Sequence, residues 1–142
     1  MTTKKQVIIN KIREVCPETM ELKFGCKVIM KHNVDGDYDV ISANYHGETP
    51  SFELSLRGKK EFFPQDVKEV LGTPLELSHL LRAVQELSDE KRIAEVMQLS
   101  EYNSSFCIIK ILSLYNLSLS LEDNLDNDEL CDFIYKLICE KV

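Results

Sequence analysis

Apolar residues recur with two different periods along this chain, and the change falls at Leu71-Gly72-Thr73-Pro74-Leu75-Glu76. Before that joint the period is mainly two, as in strands with one buried face; after it the period is about three and a half, as in amphipathic helices. The exception upstream is Thr3 to Val15, where Ile8, Ile12 and Val15 form one stripe and Lys4, Lys5, Lys11 and Arg13 lie elsewhere. This predicts a first helix. It should stop at Cys16, because Pro17 disfavours helical geometry in the residue before it.

Glu21 to Lys31 alternates, with Leu22, Phe24, Cys26, Val28 and Met30 on one face and only Ile29 breaking the polar one. Asn33-Val34-Asp35-Gly36-Asp37 then supplies the Asp-Gly pair of a tight hairpin turn. A second strand is expected over Tyr38 to Tyr45. After the break His46-Gly47-Glu48-Thr49-Pro50, a third is expected over Ser51 to Arg57, with Phe52, Leu54 and Leu56 apolar. Three antiparallel strands with one apolar face need a cover, and the helices are the available one.

Val67, Val70 and Leu71 suit a short helix over Pro64 to Leu71, closed by Gly72. Thr73, Pro74 and Glu76 then read as a capping box opening the next helix. That helix carries Leu77, Leu80, Leu81, Val84 and Leu87 on one face. Ser88-Asp89-Glu90 caps a third, with Ile93, Val96 and Met97, ending near Ser100. Ser104 or Ser105 caps a fourth, whose run Phe106, Cys107, Ile108, Ile109, Ile111, Leu112, Leu114 and Tyr115 leaves almost no polar face and predicts the centre of the core. Leu117 to Leu121 alternates and suits a short strand or an extended connector. A last helix over Asn127 to Lys141 buries Leu130, Phe133, Ile134, Leu137 and Ile138. The fold class is therefore α+β: an N-terminal helix, a small three-stranded antiparallel sheet, and a helical C-terminal half packed on the sheet. One domain over residues 1–142 is expected, with 1–72 holding the sheet and 73–142 the acidic helical half, since Gly72-Thr73-Pro74 is too short for a free linker.

Composition agrees with a folded chain: 142 residues, 44% hydrophobic and 29% charged, enough to bury a core without staples. Nothing approaches the roughly 18 uninterrupted apolar residues of a membrane span. The N-terminal stretch is broken by Asn10, Lys11 and Arg13, so it does not read as a secretory signal, and a cytoplasmic protein is expected. Five cysteines, odd in number and without a Cys-x-x-Cys pair, suit buried reduced thiols.

The net charge of −7 is uneven: residues 1–73 hold 11 basic and 11 acidic side chains, and residues 74–142 hold 6 and 13. Neither half has a basic patch to neutralise phosphates, which removes the main source of direct nucleic-acid affinity. Most of the excess gathers in Glu122, Asp123, Asp126, Asp128, Glu129 and Asp132, six acids with no base among eleven residues. A helix N-terminus favours such residues through its dipole, which accounts for Asp126, Asp128 and Glu129. The alternative is an acidic decoy surface for a basic, nucleic-acid-binding partner.

Other chemistry is weakly signalled. Asp35, Asp37 and Asp39 imitate the start of a calcium loop, but Val40 stands where glycine is needed and His46 where a bidentate glutamate is needed. A thiol enzyme would need Cys26 or Cys107 beside His32, His46 or His79. No Cys or His pair has the short spacing of a local zinc chelate, and no phosphate loop or nucleophile elbow occurs, so neither a cofactor nor a metal is expected.

Three blocks resemble a group of small uncharacterised proteins of bacteriophages and prophages. They are Asn10 to Glu18 with Met20-Glu21-Leu22 and Phe24 to Val28; Leu71 to Leu77 leading into Leu80 to Val84; and Leu117-Ser118-Leu119 with Leu125-Asp126 and Phe133 to Leu137. The resemblance implies a phage or prophage accessory protein and no catalytic residues. The expected function is non-enzymatic, through a protein partner or self-association.

Overall fold

A computed structural model describes residues 2–31, 38–46, 49–54, 62–98 and 104–140. Contacts divide the chain into two compact units, one of residues 17–74 and one of residues 1–16 with 75–142. The class is α+β with an N-terminal helix, an antiparallel sheet and a helical C-terminal half.

The sheet unit holds β1 (Lys27–Met30), β2 (Tyr38–His46), β3 (Thr49–Leu54) and β4 (Val67–Gly72), in the order β3-β2-β1-β4 with antiparallel neighbours throughout. Four strands replace the expected three. The added strand is the stretch read as a short helix: only Pro64–Asp66 makes a turn of 3-10 helix before β4 begins. The misreading has a definite cause. Met30 pairs with Val67 and Val28 with Val70, so two residues of β1 span three of β4, and a bulge at Lys68 brings Val67 and Val70 to the same apolar cluster. The bulge converts a period of two into a spacing of three, which imitates a helix. A second irregularity sets Lys27 opposite Gly72, whose φ of +105° favours glycine; Gly72 thus ends a strand and does not cap a helix.

β1 is shorter than the predicted Glu21 to Lys31. The Cys26 amide donates to the Lys23 carbonyl at 2.9 Å, Gly25 takes φ +87°, and the resulting turn leaves Phe24 68% exposed. Cys26, Val28, Met30, Tyr38, Val40 and Leu54 form the buried cluster of this unit, with Leu22 and Phe62 against it. The proposed turn at Asn33 to Asp37 and the breaks at Gly47-Glu48 and Arg57 to Lys60 lie outside the described residues.

The helical unit contains α1 (Lys4–Val15), α2 (Leu77–Leu87), α3 (Glu90–Met97), α4 (Ser104–Leu114), α5 (Leu121–Asn124) and α6 (Asp128–Ile138). α1 starts where Thr3 Oγ1 accepts from the Gln6 amide and ends at Cys16, as the sequence predicts. α2 begins later than its expected capping box. The Thr73 hydroxyl and amide both donate to the Thr19 carbonyl, and Glu76 is the cap residue, its amide donating to His79 Nδ1 at 2.9 Å. α3 opens with Asp89 accepting from the Arg92 amide and closes at Gln98, whose φ is +57°. α4 already includes Ser104 and Ser105 in its first turn, so neither is the flanking cap residue.

The centre of this unit is α6. Leu130, Cys131, Phe133, Ile134, Leu137 and Ile138 are all buried there, and α6 packs against α1, α2, α3 and α4. α4, expected to be central, buries only Cys107 and Ile111 among its described side chains.

Candidate functional site

The acidic cluster lies on α5, α6 and the turn between them, and most of it is already engaged. Ser120 caps α5, accepting from the Asp123 amide at 3.1 Å, and Asn127 caps α6, accepting from the Leu130 amide at 3.2 Å. Asp123 therefore lies in the first turn of α5 and Asp128 in that of α6, where the helix dipole favours negative charge. The other four acids each face a base. Lys4 Nζ is 3.0 Å from Asp132, Lys5 Nζ 2.9 Å from Asp126, Arg13 Nη2 3.9 Å from Glu122, and Lys110 Nζ 3.7 Å from Glu129. The Asp132 carboxylate, by its hydrogen bond and then its charge, holds the Lys4 ammonium above its ordinary range. Lys4 also sits over the Tyr135 ring and Lys110 over the Phe133 ring. Three of the four bases come from α1, so the cluster seats the N-terminal helix. Exposed pairs of this kind contribute only about 0–1 kcal/mol each, but they halve the charge a basic partner would meet.

Between α4 and α5 the chain is held by Asn124, which is 2% exposed. Its Oδ1 accepts from the Asn116 amide at 2.6 Å, and its Nδ2 donates to the carbonyls of Asn116, Leu119 and Ser120 at 2.9, 3.3 and 2.9 Å. These bonds make residues 115–120 a fixed connector. Leu117 stands 82% exposed on it and Leu119 44%.

The feature missed in the sequence is the outer face of α4. Phe106 is 53% exposed, Ile109 59% and Leu112 44%. At about 100° per residue these three fall within an arc of about 120°, opposite Cys107 and Ile111. A signal was present, because Ser105, Ser113 and Asn116 share that arc. They mark it as a wet face in which three large apolar residues are embedded.

The thiols have little nucleophilic character. Cys16, Cys26, Cys107 and Cys131 are buried and Cys139 is half-buried, all of them free. Burial raises the Cys107 thiol, burial and then the Asp132 charge raise Cys131, and burial pushes Cys139 up to about 11. Cys16 Sγ lies 3.9 Å from the His79 carbonyl, while the His79 ring is occupied with the Glu76 amide. His32 is outside the described residues, as is most of the calcium-like segment, Asp35 to Asp37. Among the described residues no three His, Cys, Asp or Glu side chains gather as a metal site, and no helix is long and apolar enough to cross a membrane. Comparison with protein-family models, curated proteins and solved structures finds no match for this chain.

Proposed function

We propose that this protein works through protein–protein contact and not catalysis, with the outer face of α4 as its contact surface and a second copy of the chain as the occupant. The exposure of Phe106, Ile109 and Leu112 on one arc carries this reading. The arc contains no charged residue, so it is complementary to itself, and an isologous pairing of α4 with α4 buries each stripe against its own copy. Exposed apolar side chain there amounts to about 300 Å² per chain, within the range of a functional patch. Twice that area is well below the roughly 1,200–2,000 Å² of a stable complex, so the dimer is weak and reversible. The phage-type resemblance supplies the setting of an accessory protein. The acidic-decoy alternative has less support, because four of its six carboxylates face internal bases.

Sedimentation from about 10 µM to 1 mM tests the proposal, that span covering a weak dimer in affinity terms. Wild type should shift from monomer to dimer. Ile109→Asp, a change at an exposed position, should stay monomeric with an unaltered circular dichroism spectrum. A wild type that stays monomeric throughout, or an Ile109→Asp variant that still dimerises, overturns it.

A further inference from the structure

A second feature of the helical unit lies on the other side of α4. A cleft of about 150 Å³ opens between α2, α3 and α4, with apolar walls from Leu81, Val84, Ile93 and Ile108. Ser88, the residue that closes α2, also lines it. Ser88 is 7% exposed, and its Oγ is buried with no hydrogen-bond partner, the one such side-chain atom among the described residues. Its amide is satisfied by the Val84 carbonyl at 3.0 Å, so the hydroxyl alone is left over.

Buried hydroxyls without partners are rare in folded proteins because desolvation is not compensated, and each one calls for a partner outside the listed protein groups. The surroundings define what that partner is. An apolar cavity of about 150 Å³ accommodates one benzene-sized molecule. Four aliphatic walls and a single hydroxyl, which both donates and accepts, match a molecule with one ring and one hydroxyl group. Gln85 and the Cys107 thiol complete the lining, and the raised Cys107 thiol adds no charge to it. We propose that this cleft is a binding site for a small single-ring phenol, held by the aliphatic walls and hydrogen-bonded to Ser88 Oγ. This site is separate from the outer face of α4: Ile108 faces the cleft and Ile109 faces away from it.

The test is titration of the full chain with phenol and with toluene, which has the ring and lacks the hydroxyl, followed by two-dimensional amide NMR. Phenol should give saturable shifts at Val84, Ser88, Ile93 and Cys107. Ser88→Ala should weaken phenol by about 3- to 10-fold, the worth of one hydrogen bond, and leave toluene unchanged. Ile108→Phe, which fills the cleft from a partly buried position, should abolish both. Ile109→Asp should alter neither, so failure of the dimer and failure of the cleft are read separately. Absence of saturable shifts up to about 10 mM phenol, a limit set by the weakest affinity a ligand of this size would have, overturns the proposal. So does equal weakening of phenol and toluene by Ser88→Ala, or binding that survives Ile108→Phe.

Discussion

Replacing Asn124 should destabilise the helical unit more than replacing any acid around it. Its carboxamide makes one accepted bond and reaches three carbonyls with two N–H donors, so it is worth about three full hydrogen bonds. At about 1 kcal/mol net each, Asn124→Ala loses about 3 kcal/mol. Two details adjust that figure. The Ser120 carbonyl also accepts from the Asn124 amide at 2.9 Å and keeps a partner, which lowers the cost. The truncated site is buried, and a cavity raises it. The expected loss is about 2–4 kcal/mol, seen in urea unfolding at pH 7 as a midpoint lower by about 1–2 M. Asn124→Asp separates hydrogen bonding from packing. It keeps the shape and the acceptor but turns the donors into a carboxylate facing three carbonyl oxygens. At pH 7 it should be at least as unstable as the alanine variant, and it should recover partly on acidification as the carboxyl takes a proton, which alanine cannot do. An Asn124→Ala midpoint within the equivalent of about 0.5 kcal/mol of wild type, or an aspartate variant with no pH dependence relative to alanine, would refute the account.

Two further outcomes are expected. Cys139 keeps its proton up to about pH 11 in the folded chain, whereas an unfolded thiol loses it near its ordinary value, roughly 8.5. Between those values the unfolded state binds fewer protons, so stability present at pH 8 is lost as pH rises, at up to about 1.4 kcal/mol per unit. Urea midpoints from pH 8 to 10.5 should fall less steeply for Cys139→Ala than for wild type, and equal slopes would contradict the assignment. Asp89→Ala should cost about 1 kcal/mol through loss of the cap on the Arg92 amide, with Asp89→Asn retaining most of it; thermal melts of the three proteins give the comparison.

Elements defined by local chemistry were legible in the sequence. Thr3 and Pro17 bound α1, Asp89 opens α3, and the stripe of α6 was read with its cap at Asn127. What escaped depended on residues far along the chain. β4 looks helical because its bulge is set by pairing with β1, about forty residues earlier. Thr73 has all the local attributes of a cap, but Thr19 claims its hydroxyl and amide. α4 appeared to be central because hydropathy alone does not say which stripe is covered, and α6 covers only the Cys107 and Ile111 side. The acidic cluster showed no base among its neighbours in sequence, since its bases stand on α1 and α4. Ser88 gave no signal, because a serine beside a capping aspartate is ordinary until its burial is known.

The pairing of α1 with α6 has a consequence for synthesis. Ile8 and Ile12 leave the ribosome first, yet the helix that buries them, ending at Ile138, leaves nearly last. At about 5–20 residues per second, that delay is roughly 6–25 s. Throughout it α1 is an amphipathic segment with its apolar face uncovered. Any chain whose translation halts before α6 carries that face permanently, and is set up to aggregate or be degraded. For the helical unit, completion of the last helix is the event that commits the first.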